Sequence, residues 1–246
     1  MDLQLKDKYF LVTGASQGFG RAIAMALINE GALVLANARN AEHLQSLKDS
    51  APNQVEYIAA DITSNLEQDK VLNAFAQYPL TGVVINAGGP PVMGALKTKL
   101  IDWDNAYKSV FRWKVRLATI LAKKFKNNEY GRMVFIESVS VKQAVDDLVL
   151  SNAYRMAVVG YVKTLSREME TQDVNMNIMA PSYHDTHAMN RILKNISKKN
   201  NMNNAAAREL IESQTLTGKM GDANDFASLA LWLLSPYARM PWMAVL

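Results

Sequence analysis

Short apolar runs that alternate with stretches of helical spacing constrain this chain more than any other feature. Runs of strand length occur at Tyr9-Phe10-Leu11-Val12, Leu33-Val34-Leu35-Ala36, Val55 with Tyr57 and Ile58, Val83-Val84-Ile85, Met133-Val134-Phe135-Ile136, and Met176 with Ile178 and Met179. Between them, Ile23, Leu27 and Ile28, then Leu66, Val71, Leu72 and Phe75, then Leu117, Ile120, Leu121 and Phe125 recur at the spacing that places residues on one helix face. Enrichment in Val, Ile and Phe favours strands over buried helical segments for the short runs. Strands that are apolar on both faces need helical crossovers to cover them, which predicts a doubly wound parallel sheet in three α/β/α layers. With 246 residues, 49% of them hydrophobic, and no linker, repeat or low-complexity block, residues 1–246 read as one domain.

The first strand-to-helix junction carries Thr13-Gly14-Ala15-Ser16-Gln17-Gly18-Phe19-Gly20, ahead of a helical pattern from Arg21 to Glu30. Glycine tolerates positive φ and has no Cβ, so the backbone can lie close to a pyrophosphate while the helix N-terminus presents free N–H groups and partial positive charge. The turn reads as the dinucleotide seat of a Rossmann-type sheet. Its spacing is Gly-x-x-x-Gly-x-Gly rather than Gly-x-Gly-x-x-Gly, and three glycines alone could form an ordinary tight turn. The alternation of strands and helices around them favours the seat.

The formal net charge is only +4. The densest basic clusters are Lys123-Lys124-Lys126 and Arg191, Lys194, Lys198 and Lys199. They read as a helix C-terminus, whose dipole favours cations, and as a solvated surface helix, so no nucleic-acid partner is expected. The absence of cysteine excludes disulfides, thiol nucleophiles and thiolate metal sites, and redox chemistry then needs a borrowed cofactor. His184 and His187 have a spacing seen in metal sites, but no ligand set gathers around them in sequence and no metal is expected. With no apolar stretch of about 18 residues and no apolar signal core at the start, the expectation is a cytoplasmic protein without membrane contact.

From about Leu5 to about Ser235 these features, taken with the motifs that follow, resemble the short-chain dehydrogenase/reductase family. Asp61 and Ile62, in Ala60-Asp61-Ile62, stand where the family places an acid contacting the adenine. Asn86-Ala87-Gly88 matches the turn after the fourth strand that lies over the cofactor. The segment Pro181-Ser182-Tyr183-His184-Asp185-Thr186 is similar to the family's Pro-Gly-x-x-x-Thr segment near the nicotinamide, with Ser182 in place of Gly. Asn86 to Pro91 and Ser138 to Gln143 look like those of one divergent branch. After the second strand, Ala38 occupies the place where an acid would select NAD, and Arg39 follows. A guanidinium there favours the 2′-phosphate of NADP(H) over NAD(H), although Gln17 stands where the family often has a basic residue and Arg39 could be an ordinary surface cation. The resemblance thus implies a cofactor seat built from Gly14, Ser16, Gln17, Gly18, Phe19, Gly20, Arg39, Asp61, Ile62, Asn86, Ala87, Gly88, Arg155, Pro181 and Thr186.

The catalytic positions depart from the family, which uses a Tyr, a Lys four residues later, a Ser and an Asn. Ser138 keeps the Ser place at the end of the fifth strand. Thirteen residues on, Ser151 takes the Tyr place, and Arg155 then replaces Lys, while the Asn place falls on Val110. Moving the register to use Tyr154 as the phenol would put Val158 where the ammonium belongs, and an unassisted phenol titrates near ~10. On a helix, Ser151 and Arg155 share a face and Tyr154 lies one turn from Ser151. The leading expectation is an NADP(H)-dependent oxidoreductase for a small carbonyl or alcohol. Ser138 and Ser151 would hydrogen-bond the oxygen, Arg155 would give electrostatic support, and Tyr154, Lys142 or water would complete proton transfer. Different nicotinamide chemistry that needs no strong acid is a variant. A cofactor-binding sensor or assembly protein without turnover is the alternative. Residues 187–215 correspond to the family's variable substrate lid, and Met189, Ile192, Leu193, Ile196 and Met202 either line it or pack on the body. The family's final strand and tail are expected to be shortened, leaving a homodimer or homotetramer formed through the long helices, with Trp103, Phe111, Trp113 and Tyr161 as interface candidates.

Overall fold

Each apolar run lies in a strand: β1 (Tyr9–Thr13), β2 (Leu33–Ala38), β3 (Val55–Ala59), β4 (Leu80–Ile85), β5 (Tyr130–Ile136) and β6 (Asp173–Met179). The computed structural model describes residues 1–169 and 173–239. In it these strands form one parallel sheet in the order β3-β2-β1-β4-β5-β6. The order reverses between β1 and β4, where the two halves of a doubly wound sheet diverge and leave a crevice at the strands' C-terminal ends.

Alternation along the strands divides the core in two. Phe10, Val12, Val34, Ala36, Val134 and Ile136 face α1 (Gly18–Asn29), α2 (Ala41–Ser50) and, at the far end of the chain, a helix over Ala223–Leu234. Leu11, Leu35, Val83, Ile85, Met133, Phe135 and Ile178 face α3 (Asn65–Ala74) and two long helices. The first long helix is α4 (Leu100–Ala106), a wider-wound turn over Tyr107–Arg112, and α5 (Trp113–Asn127); the second is α6 (Val149–Arg167). Burial on both sheet faces is what continuous apolar strands require.

Two further helices, α7 (Met189–Asn200) and α8 (Asn204–Glu212), pack on each other before the last, α9 (Ala223–Leu234). Met189, Leu193, Ala207 and Ile211 form a small core of their own, with Ile192, Ile196 and Met202 against it, and of these Met189 and Ile192 also line the cavity. Trp113 is not an interface residue: it is 1% exposed in the core, its indole Nε1 donating to Ser109 O at 2.9 Å. Trp103, Phe111 and Tyr161 are half-buried. The expected shortening of the final strand concerns residues 240–246, which lie outside the described residues.

At the start of β5, fully buried Arg132 closes the sheet edge. Its Nε donates to Ser235 O at 3.1 Å, its Nη1 to Gly131 O at 3.1 Å and Asp173 O at 2.7 Å, and its Nη2 pairs with Asp173 Oδ1 at 2.8 Å. One side chain thereby ties β5 and β6 to the end of α9.

Candidate active site

The crevice at the strand ends is a cavity of about 690 Å³, within the range of small-molecule sites. At one end the glycine turn shapes it. Gly14 has φ +64°, and a Cβ there would sit 2.7 Å from Asn86 Nδ2; a Cβ on Gly20 would overlap the Gly14 carbonyl. Thr13 fastens this turn to the next: its hydroxyl accepts from Asn86 N at 2.8 Å and donates to Asn86 O at 2.7 Å. Gly18, at φ +56°, begins α1, whose N-cap Gln17 makes no side-chain cap bond and whose first turn holds no acid. The N–H groups at this terminus are therefore available to an anion.

Ser16, Gln17, Phe19, Arg39, Asp61, Ile62, Ala87, Gly88, Pro181 and Thr186 all line the same cavity, as do Gly14, Gly18, Asn86 and Arg155; Gly20 does not, standing beneath the turn. Asp61 Oδ1 accepts from Thr63 N at 3.0 Å and Thr63 Oγ1 at 2.8 Å, which fixes the carboxylate at the wall. Buried Asn37, also on the wall, donates to Ile58 O and Ala60 O, while its Oδ1 finds no partner among the described residues. A glycine cradle that any Cβ would fill, a free helix N-terminus and an unpaired buried acceptor together fit a dinucleotide.

The other end of the cavity holds Ser138, Ser151 and Arg155. Ser138 follows β5 and caps the next turn, its Oγ accepting from Ser140 N at 3.2 Å. The i, i+4 spacing on α6 does what was expected of it: Arg155 Nε donates to Ser151 Oγ at 3.0 Å, on the buried face of the helix. Arg155 Nη1 also donates to Glu137 Oε2 at 3.0 Å and Ile136 O at 3.3 Å. The other oxygen of Glu137 takes Lys114 from α5, so one fully buried carboxylate holds two buried cations. Burial lowers the Lys114 ammonium to about 8; Glu137 opposes that shift and Arg155 adds to it.

Two sequence expectations, Tyr154 and Lys142, find no place here. Tyr154 is outside the cavity lining, because the side chain one turn from Ser151 points to the outer flank, where its ring packs 5.9 Å from Trp103 and 6.1 Å from Tyr107. Burial and then Asp104 raise its pKa above the ordinary phenol value. Lys142 is exposed and does not line the cavity. Val110, at the family's Asn place, is 1% exposed in the protein interior, and the wider-wound turn presents Ser109 to the cavity instead. Such single wide turns recur at functional sites.

Glu137 and Lys114 were missed. Both left a signal: Lys114 lies on the stripe of Leu117, Ala118, Leu121 and Phe125, which is the buried face of α5, and Glu137 directly follows the apolar run Met133 to Ile136 of β5. A cation and a carboxylate on core faces imply each other, since neither is buried without a partner.

Comparison with known proteins places the chain. Over 244 residues it is 25% identical to the 3-oxoacyl-[acyl-carrier-protein] reductase FabG of Aquifex aeolicus, covering 97% of this chain and 94% of that protein. Over 235 residues it is 26% identical to the nodulation protein G of a Rhizobium species, covering 94% and 91%. Among solved structures, YwfH, an NADPH-dependent reductase involved in bacilysin biosynthesis, superposes with a TM-score of 0.91 at 21% identity, covering 98% and 96%. An actinorhodin polyketide ketoreductase variant with NADPH gives 0.91 at 24%, covering 97% and 95%. The family model described as short chain dehydrogenase matches residues 8–197, and the chain belongs to that family.

Proposed function

We propose that this protein is an NADP(H)-dependent oxidoreductase acting on a small carbonyl or alcohol, with Ser138, Ser151 and Arg155 in place of the family's usual constellation. The carrying observation is the bond from Arg155 Nε to Ser151 Oγ at the cavity wall, with Glu137 fixing the guanidinium from behind. Relatives named as reductases, and a fold shared with NADPH-dependent enzymes, agree with it.

Bound NADPH would supply hydride at the nicotinamide. The chain's residues then serve the oxygen. Because Ser151 Oγ accepts from Arg155, its own proton is free to point into the cavity, and Ser138, accepting from Ser140 N, is free in the same way. Two hydroxyl donors beside a fixed cation stabilise an oxyanion as it develops, without needing a strong acid. Arg155 keeps its proton throughout. The Ser151 hydroxyl is then a positioned donor, and the proton that completes reduction comes from water reaching the cavity or along Ser151. Arg39 faces the cavity beside uncharged Ala38 and selects the 2′-phosphate. Residues 187–215 serve as the substrate lid, and exposed Tyr107, Ile120 and Met156 on the long helices make a homo-oligomer contact.

Calorimetric titration with NADPH and, separately, NADH tests this reading. Tight NADPH binding with weak NADH binding is expected. Binding of neither would overturn the oxidoreductase assignment, and equal binding would remove Arg39 from it.

A further inference from the structure

The cavity lining includes a second arginine. Arg191, in the first turn of α7, reaches back across the crevice, and its Nη1 donates to Gly89 O at 2.8 Å, just after the β4 exit. Gly89 has no side chain. A Cβ placed there would lie 3.1 Å from Arg191 Nη2 and 3.4 Å from Arg155 Nη2, so the two nitrogens lie close to the same empty point.

Neither nitrogen has an acceptor among the described residues. Arg155 is engaged through Nε and Nη1, and its carboxylate, Glu137, is already shared with Lys114. Arg191 pairs with no carboxylate among the described residues, and the other acid on the cavity wall, Asp61, is held at the cofactor end by Thr63. Arg191 is an exposed residue whose guanidinium is partly covered, and that partial burial and then the Arg155 charge lower its pKa, as expected for two cations brought together without an intervening anion.

We propose that Arg155 and Arg191 form an anion subsite that binds the carboxylate of the substrate, so that the protein acts on a short oxo acid or the corresponding hydroxy acid. The guanidinium of Arg155 sets the length: it touches the Ser151 hydroxyl through Nε and offers Nη2 to the anion, so the reacting oxygen and the carboxylate lie within one guanidinium of each other. Guanidinium forks match carboxylates in plane, and two of them add charge-assisted hydrogen bonds on both oxygens. The proposal rests on the reading above only in taking the Ser138 and Ser151 end as the reacting end. Another anion of the same chemistry, the cofactor's diphosphate, belongs at the glycine turn, where α1 already offers its N–H groups.

The test is calorimetric titration of the full chain, alone and loaded with NADP⁺, with 4-oxopentanoate and with its methyl ester. The acid is expected to bind about tenfold more tightly than the ester, the size of a charged hydrogen bond. In Arg191→Gln that preference should fall to within about twofold, while Arg191→Lys keeps part of it and NADPH affinity stays within about twofold of the parent. Equal binding of acid and ester in the parent would overturn the subsite. So would an Arg191→Gln variant that loses NADPH and keeps its preference for the acid, since Arg191 would then serve the cofactor. A parent that binds no NADPH but still prefers the acid would retain the subsite and sink the oxidoreductase reading alone.

Discussion

At the start of β5, Arg132 turns its guanidinium to three backbone carbonyls and a partly exposed Asp173; just past the end of the same strand, the fully buried Glu137 carboxylate gathers Lys114 and Arg155. Both clusters are buried, and both tie β5 to its neighbours. They differ in what remains unused. Arg132 points its charge inward at fixed acceptors, a long way round the strand from the cavity lining. The Glu137 cluster leaves Arg155 facing the cavity with a hydroxyl on one nitrogen and another nitrogen open. A buried charge network whose members satisfy one another is architecture; one that presents an unfilled donor to a cavity is equipped for a ligand.

The comparison breaks first at Glu137. Changing Glu137→Gln leaves Lys114 and Arg155 buried beside a neutral amide, and a loss of about 3–5 kcal/mol is expected in urea unfolding at neutral pH. A loss under about 1 kcal/mol would mean that the two cations find other partners or water, and the two ends of β5 would then not differ in kind. Arg132→Met should cost less, about 2–3 kcal/mol, because it strands carbonyl acceptors rather than charges and Asp173 can turn to solvent. It should also leave NADPH affinity unchanged, which the same calorimetry reads.

The next effect sharpens the comparison through pH. Lys114 has a folded pKa of about 8, below its ordinary value of 10.5, so between these values the unfolded chain binds more protons than the folded one. Stability attributable to Lys114 must therefore rise with pH from about 8 towards 10, by about 1–2 kcal/mol. Tyr130, Tyr154 and Tyr161, all shifted upward by burial, act in the opposite sense once pH passes 10, so the window closes there. The difference in unfolding free energy between the parent and Lys114→Met, followed from pH 7 to 10, isolates the group. A flat difference would place Lys114 in contact with solvent.

Both ends of β5 were hard to read in the sequence, for different reasons. The strands and their order of burial were legible because continuous apolar runs admit only a sheet covered on both faces, and the glycine turn was legible because Gly14 and Gly20 are forced by close approach. Ser138, Ser151 and Arg155 could be placed because one strand exit and one helix match the spacing of the family that the sequence resembles. Lys114 lies in the first turn of α5 and Glu137 just past β5, 23 residues apart, and nothing local pairs them. Arg132 stands just ahead of the apolar run Met133 to Ile136, and its partner Asp173 lies on the neighbouring strand in direct register with Tyr130. Arg191 read as one cation in a solvated cluster; only the fold brings its head to Gly89, and Tyr154 was placed beside Ser151 although the helix turns it away.

Tyr154 supplies the smallest effect and the finest test of where the site ends. It is three residues from Ser151, yet its ring stacks among Trp103 and Tyr107 on the flank formed by α4 and the wide turn. Its raised pKa comes from burial first and Asp104 second, and no cation among the described residues opposes that shift. Tyr154→Phe keeps the ring and removes only the hydroxyl, for which the expected change in stability is within about 0.5 kcal/mol. NADPH affinity, and the preference for 4-oxopentanoate over its ester, should both stay within about twofold. A larger loss of either would show that the phenol turns into the cavity when ligand binds, and the boundary between the flank and the Glu137 end of β5 would have to be redrawn through α6 itself.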